Sequence, residues 1–301
     1  MSAKVQFFFD ICKKKLYLCS GFSRSVIRMM KLSTAIYRAL SWLRHQLTAR
    51  NTGGHGIHSP YLFEWVRMVL HDENVYYAWE KIEEVRTRML ADEREVEFVD
   101  YGSGGKRKSE NGDGRKVCDI AKWSLAKNKY AQMMARLVNW LGTSNSLNIV
   151  ELGTSLGVTT AYLAAVDSRN KVVTCEGCPA VAAIAKENWK ALGLSNIECV
   201  VGEITVDSLQ MIVDSLRRID VAFIDANHTY AGTRVYFNVL AEHVHAKSVV
   251  IVDDIHYNEE MEKAWREICE DERVTSTMDL YQIGLVFFDK NYWRRNYKIR
   301  L

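Results

Sequence analysis

The sequence predicts an α/β protein with a helical N-terminal extension and a seven-stranded, mostly parallel sheet that ends in an antiparallel hairpin. Seven short apolar runs have the length and composition of strands, and helices fit the first five gaps between them. The last gap is too short for a crossover helix, so the final two strands should pair antiparallel. The predicted strands cover residues 147–151, 171–176, 197–201, 219–225, 247–253, 274–280 and 283–289.

The composition is that of a globular protein with one basic end. A chain of 301 residues, 48% hydrophobic and 26% charged, can bury one large core and a small additional region. The net charge is only +3, but residues 1–50 hold ten Lys or Arg against the single Asp10, so the remainder is net acidic. Seven cysteines without framework spacing indicate reduced thiols and a cytoplasmic protein. No apolar run reaches the ~20 residues that a membrane-spanning helix needs.

Three segments are predicted along the chain: a leader at 1–29, a helical cap or lid region at 30–116 and the main domain at 117–301. The leader shows no clear periodicity and lacks the charge order of an export signal, so we expect it to be poorly ordered. The cap begins with a basic amphipathic helix. Packing on the main domain is the expected use of this helix, although such helices also lie on membranes or nucleic acid. Its apolar positions are Leu32, Ile36, Ala39, Leu40, Leu43 and Leu47.

A glycine-rich link follows the first helix and contains His55 and His58, which we interpret as part of a structured turn near the site entrance. The link leads to Ser59 and Pro60, a favourable N-cap and first helical position. Further helices are expected at 61–70, within 75–91, around 120–124 and at 129–141, with a short strand at 95–101 and a flexible loop at 102–116.

The most informative motif is the glycine loop after the first main-domain strand. The strand runs through Glu151 into Gly153 and Gly157 and then directly into a helix, which is typical of a nucleotide-cofactor cradle. The loop lacks the Gly-x-Gly pair of a dinucleotide site. The acid before it would repel a pyrophosphate, but it suits a cofactor with an ammonium group, such as S-adenosylmethionine. Glu176, at the tip of the next strand, is well placed for the two hydroxyls of a ribose.

Five segments in order resemble the class I S-adenosylmethionine-dependent methyltransferases over about residues 117–290, and most closely the small-molecule O-methyltransferases of the catechol and caffeoyl-CoA type. The resemblance implies a Rossmann-like fold that ends in the hairpin. The five segments are Lys129–Met133, Glu151–Gly157, Val173–Glu176, Phe223–Tyr230 and Val250–Ile255.

The resemblance also implies a cofactor site. Lys129 begins the helix that covers the cofactor in those enzymes. The methionine end would be held by Glu151 and by the loop amides, the ribose by Glu176, and the adenine would lie at the end of the third strand. The loop positions are Gly153, Ser155 and Gly157, and the adenine positions are Gly202 and Glu203.

Three acids are predicted to converge where strands four and five end. Asp225, Asp253 and Asp254 offer the oxygen ligands that Mg²⁺ prefers. In the metal-dependent relatives the third ligand is usually Asn, and here it is Asp254. A metal-free alternative therefore stays open, in which Asp225 or Asp253 holds the cofactor's ammonium and positions the substrate, and Asp254 caps a helix.

His228 lies where the catechol enzymes place their lysine base, so His228 and Asp225 are the predicted catalytic pair. An imidazole can accept a hydroxyl proton near neutral pH. A helix-start role for His228 is the alternative, and His256 is a second candidate base. The predicted acceptor is a small molecule, and a homodimer is common among the resembling enzymes.

Two other enzyme classes remain open from the sequence. The acids and His228 could hold a metal for hydrolysis, with the glycine loop as a tight turn only. A nucleic-acid methyltransferase recruited by the basic N-terminus is the other alternative. The sequence after strand four, Asp-Ala-Asn-His, lacks the Pro-Pro-aromatic pattern common in base-amine methyltransferases. No nucleic-acid partner is therefore expected.

Overall fold

The computed structural model describes residues 21–99, 114–142 and 145–301, with side chains from residue 34 onward. A single eight-stranded sheet organises this part of the chain, in the order β10-β8-β9-β7-β6-β3-β4-β5. Strands β3 to β7 are parallel, and β9 runs antiparallel to both β7 and β8. The sheet strands are β3 (Asn148–Leu152), β4 (Lys171–Glu176), β5 (Ile197–Val201), β6 (Ile219–Ile224), β7 (Val244–Asp253), β8 (Ser276–Asp279), β9 (Ile283–Phe287) and β10 (Arg295–Lys298).

Helices cover both faces of the sheet, as the βα alternation predicts. Those between the strands are crossover helices, and the others precede the sheet in sequence. A π-helical turn, Val66–Leu70, extends α2. The helices are α1 (Gly21–Thr48), α2 (Pro60–Trp65), α3 (Tyr77–Ala91), α4 (Val117–Ser124), α5 (Asn128–Leu141), α6 (Val158–Ala164), α7 (Pro179–Ala191), α8 (Val206–Leu216), α9 (Tyr230–Ala241) and α10 (Glu259–Glu270).

Alternate residues of each central strand enter different cores. In β6, Val221 and Phe223 pack with α2 and α5 on one face, whereas Ala222 and Ile224 pack with α8, α9 and α10 on the other. Both faces are thus apolar, as expected for a parallel sheet covered on both sides. The α2 region belongs to this core rather than to a separate lid, because Leu62 and Trp65 are fully buried in it.

Seven strands were expected, and the eighth is β10, which pairs parallel to β8. Its residues are mostly polar, and only Tyr297 in it is buried. An edge strand needs only one covered face, so its sequence lacks the apolar run that marks an inner strand. A two-stranded ribbon of β1 (Glu95–Glu97) and β2 (Gly114–Lys116) lies outside the main sheet. Most of the predicted loop at 102–116 lies outside the described residues.

Helix α1 differs from its prediction in extent and in orientation. It is helical from Gly21, so the boundary predicted at residue 30 falls inside it, and residues 1–20 of the predicted leader lie outside the described residues. It packs on the main domain through Tyr37 and His45, whereas Leu40 and Leu47 are exposed. The expectation that α1 packs on the domain is confirmed, but its apolar stripe does not make the contact.

In the described part of the chain, no helix combines the length and apolar character required to cross a membrane. The cysteines described there are free thiols, among them Cys175 and Cys178, which are both buried. The Cys178 thiol donates to the Glu97 carbonyl oxygen at 3.4 Å. This pair therefore forms part of the packing, as its isolated spacing indicates.

Candidate functional site

The glycine loop lies at the edge of the sheet where the parallel strands end, and its backbone is tightly turned. Gly153, Ser155 and Gly157 all have positive φ angles, of 102°, 50° and 75°. A Cβ on Gly153 would overlap the carbonyl oxygen of Asp225, and one on Gly157 would lie 2.5 Å from the Trp189 indole nitrogen. Protein atoms fill the space beside both glycines, so both are needed for packing. The approach of a ligand to the loop backbone stays a prediction.

Glu151 lies beneath this loop and is fully buried. One carboxylate oxygen accepts hydrogen bonds from the Thr160 and Thr174 hydroxyls, the latter at 2.7 Å. The other oxygen, Oε1, is buried without a hydrogen-bond partner among the described residues. Burial raises the pKa of Glu151 to about 7, against the opposing effect of the two threonine hydrogen bonds. Its predicted contact with the methionine end of a cofactor stays a prediction.

Glu176 ends β4 and joins the glycine loop to the start of α7. Its carboxylate accepts hydrogen bonds from the Ser155 amide at 2.7 Å and from the Cys178 amide at 2.9 Å. Burial raises the pKa of Glu176, although the hydrogen bonds from backbone amides act in the opposite direction. Two carboxylate oxygens have about four lone-pair sites. These amide bonds, together with one from Gly177, leave acceptor capacity for a ribose hydroxyl.

The remaining cofactor positions lie around this carboxylate, with one exception. Gly202 donates its amide to the Glu176 carbonyl oxygen at 2.8 Å, and a Cβ on it would meet no atom within 4 Å. Glu203 beside it is exposed. The backbone at Gly202 is thus open on the side where a Cβ would lie. Lys129 is elsewhere engaged, because its ammonium donates to the Leu301 carbonyl oxygen at 3.1 Å.

The three predicted acids converge beyond β6 and β7. Asp225 and Asp253 share a side-chain hydrogen bond. The negative charges of these two residues and of Asp254 repel one another. Burial and these neighbouring carboxylates raise the pKa values of both Asp225 and Asp253, so the pair holds a proton more readily than an isolated acid does. Across the described residues, no group of three His, Cys, Asp or Glu side chains has an arrangement that could hold a metal ion.

His228 completes this cluster at its solvent side. Its Nε2 lies 3.6 Å from Asp225 Oδ1, and its Nδ1 lies 4.0 Å from Asp254 Oδ2. The side chain is one-third exposed, so a substrate can reach it. Asn227 and Asp254 hold positive φ angles of 49° and 54° on either side. Strained residues of this kind concentrate at functional sites.

Three further residues border the site that the sequence did not single out. Burial, followed by the charge of Asp253, raises the pKa of Tyr130 to about 12. The positive charge of Lys127 acts to lower the pKa of Asp253, whereas the charge of Asp254 acts to raise it. The Ser124 and Ser155 hydroxyl oxygens lie 2.5 Å apart. All three come from the segment before β3, where the sequence identified Lys129–Met133 as a resembling segment but singled out only Lys129.

His256, the second candidate base, is not part of the acid cluster. It is buried against Asp279, with Nε2 2.9 Å from Asp279 Oδ2, and its ring stacks on Tyr281. His45 of α1 lies 3.2 Å from the other oxygen of the same carboxylate. Burial acts to raise the pKa of Asp279, but the two histidines lower it well below its usual range. The structure thus uses His256 to dock α1. His55 and His58 are exposed in the segment beside β10, and the location of this segment near the site entrance stays a prediction.

Comparison with known proteins agrees with this arrangement. Residues 150–255, from β3 to just after β7, match a family model described as a methyltransferase domain. The chain carries a methyltransferase domain. The resemblance to class I methyltransferases indicated by the sequence is therefore confirmed, and the chain is an enzyme of this kind. No curated protein matches the chain by sequence.

One solved structure shows that the fold of this methyltransferase extends beyond the matched segment. An O-methyltransferase from Bacillus cereus, solved in complex with SAH, is 20% identical and superposes with a TM-score of 0.51, over 75% of this chain and 97% of that one. The cofactor-bound protein Rv0187 from MTB is 16% identical, with a TM-score of 0.49 over 77% and 98% of the two chains. The first likeness confirms the mostly parallel α/β fold.

Proposed function

We propose that this methyltransferase transfers a methyl group from S-adenosylmethionine to a hydroxyl oxygen of a small molecule. The observation that carries the proposal is the placement of Glu176 and His228 along one sheet edge. Glu176 lies on the strand beside β3, and His228 follows the strand on the other side. A donor held across the glycine loop between them would present its methyl group to a substrate near His228. The B. cereus relative, which was solved with SAH, supports this choice of donor.

The residues present fit the donor at several points. Glu176 retains acceptor capacity for the ribose, and the open space beyond Gly202 can take the adenine ring. The acids around Asp225 supply negative charge for the ammonium group of the methionine end. When bound, the donor supplies an electrophilic methyl group on a sulfonium. The remaining requirement is alignment, which can contribute ~7–11 kcal/mol.

His228 is the residue best placed to accept the hydroxyl proton. Its imidazole lies between Asp225 and Asp254, at 3.6 and 4.0 Å. A positive charge formed on the ring would be stabilised by these carboxylates, as an acid beside a catalytic histidine does in other enzymes. The hydroxyl oxygen, as it loses its proton, attacks the methyl carbon, and S-adenosylhomocysteine is the leaving product.

The magnesium site stays a prediction, and no step above depends on it. The three acids have the oxygen chemistry for Mg²⁺, but their present arrangement is a hydrogen-bonded pair with Asp254 nearby. Thermal unfolding with Mg²⁺ tests the site directly, because a ligand that binds the folded state raises Tm. A Tm increase that Asp254→Ala removes would assign the metal to these acids. An unchanged Tm would remove magnesium from the proposal.

Calorimetric titration with S-adenosylhomocysteine tests the proposed function. We expect binding to the native protein, weakened about 10- to 150-fold in Glu176→Ala, because charge-assisted hydrogen bonds contribute ~1.5–3 kcal/mol. Glu198→Ala is the matched control, since Glu198 lies on the neighbouring β5 and pairs with Lys171 at an exposed position. Equal affinity in Glu176→Ala would refute the ribose assignment. No heat of binding in the native protein would refute the function.

A further inference from the structure

Helix α1 presents to solvent an apolar stripe that takes no part in its docking. Tyr37 bonds to Glu262, and His45 is buried against Asp279. The exposed positions recur at i, i+4, i+7 and i+11, the spacing of one helical face. Their exposed fractions are 52% for Ile36, 62% for Leu40, 49% for Leu43 and 73% for Leu47, with Trp42 at 49% beside them.

The docking of α1 is polar, and this fixes which face is free. The contacts with the main domain run through the buried His45, through Tyr37, and through Arg44, which lies 3.3 Å from Glu262. The Arg38 carbonyl oxygen accepts from the Tyr281 hydroxyl at 2.7 Å. A buried polar contact holds a helix in one orientation more strictly than a general apolar one does. The stripe is therefore held outward by the docking contacts.

The charge of α1 identifies what would cover the stripe. Residues 21–48 contain five Lys or Arg and no Asp or Glu, and residues 1–20 add four Lys against one Asp. A second copy of α1, or the chain's own first 20 residues, would bring positive charge against positive charge. Five side chains of this size, each roughly half exposed, also fall short of the ~800 Å² per partner that a stable dimer buries.

We propose that α1 is an interfacial helix that binds an anionic lipid surface. Such a surface offers hydrocarbon for the stripe and negative charge for the flanking cations in the same plane. Since the Arg38 guanidinium lies 5.1 Å from the ring of Tyr257, which neighbours His228, the bound helix would hold the methyltransferase site close to the lipid surface.

Vesicle co-sedimentation of the full chain at ~150 mM salt tests this proposal. We expect binding to phosphatidylcholine vesicles that contain phosphatidylglycerol, weaker binding to phosphatidylcholine alone, and a further loss as salt is raised. The double variant Leu40→Glu/Leu43→Glu should lower the partition coefficient at least about tenfold, because it removes apolar burial and adds repulsion. The control is Met211→Glu, which makes the same change at a 74% exposed position on α8. It should bind as the native chain does.

Three results would overturn the proposal. The first is no sedimentation of the native chain with anionic vesicles. The second is equal binding by the Leu40→Glu/Leu43→Glu variant, which would place any lipid contact elsewhere, for example in residues 1–20. The third is a concentration-dependent dimer, seen by light scattering, that the same variant abolishes, because the stripe would then cover a second copy. Cofactor calorimetry on the variant separates these results from the proposed function, since S-adenosylhomocysteine binding should be unchanged.

Discussion

Glu151 and Glu176 end neighbouring strands and were predicted to hold the same cofactor, but the structure gives them different surroundings. Glu151 is fully buried beneath the glycine loop, bound to Thr160 and Thr174 and with one oxygen unpartnered among the described residues. Glu176 lies at the edge, where backbone amides of the loop and of α7 bind it. The difference separates two roles. A residue at the edge can meet a ligand, whereas a residue below the loop determines the stability of the loop.

The same division applies to the rest of the site. His228 and the acids beside it lie at the solvent side of the edge, and Gly153 and Trp189 lie within the packed loop. Changes at the edge should therefore alter binding or turnover with little change in stability. Changes in the interior should alter stability first. The following substitutions test whether this separation holds.

The largest effect is expected at the edge, on turnover. His228→Ala should lower kcat by about 10²- to 10⁴-fold, the usual contribution of a general base, and leave Tm nearly unchanged because the side chain is one-third exposed. Steady-state kinetics and thermal unfolding of the native chain and the variant measure the two quantities.

The matched control is His243→Ala, which removes an imidazole that contacts Asp214 near the start of β7, at the opposite edge of the sheet. It should keep the native rate. If His228→Ala also kept the native rate, His228 would be only a helix-start residue, and the edge would contain no catalytic base.

The sequence was sufficient for the strand pattern but not for the surroundings of each side chain. Strands β4 and β5 agree with their predicted bounds, because each is a mostly apolar run bounded by polar residues. Strand β10 escaped notice because an edge strand needs only Tyr297 buried. The docked face of α1 could not be predicted, since periodicity locates an apolar stripe without showing what covers it.

Within the site, sequence spacing placed the residues on the correct loops and left their contacts open. The Glu-x-Gly-x-x-x-Gly pattern could not show that Gly153 contacts Asp225 or that Gly157 contacts Trp189, because both neighbours are distant in sequence. For the same reason Tyr130 was missed: only the tertiary fold brings it to Asp253. Local patterns therefore identify motifs, and long-range packing determines which of their atoms remain available.

In the interior, Gly153→Ala should lower the free energy of unfolding by about 2–5 kcal/mol. A positive φ costs ~1–2 kcal/mol for a residue with a Cβ, and the forced overlap with the Asp225 carbonyl adds ~1–3 kcal/mol. Gly193→Ala separates the two terms, because Gly193 has a φ of 71° and no atom within 4 Å of an added Cβ. Urea unfolding of Gly193→Ala should therefore show only the cost of the positive φ. Equal losses in the two variants would mean that the close approach at Gly153 contributes nothing.

The smallest effect is expected at Glu151, and it depends on pH. Its pKa is raised from 4.5 to about 7 by burial, so the folded state retains a proton that the unfolded chain releases between these values. Stability therefore falls as pH rises through this window and stays low above about pH 7. Glu151→Gln keeps an acceptor for the threonine hydroxyls and cannot ionise. Between pH 5 and pH 8, the stability of this variant relative to the native chain should therefore rise by about 2–3 kcal/mol. The exposed Glu198→Gln should follow the native curve. A Glu151→Gln difference that is the same at both pH values would show that the carboxylate is not desolvated, and the contrast with Glu176 would then be lost.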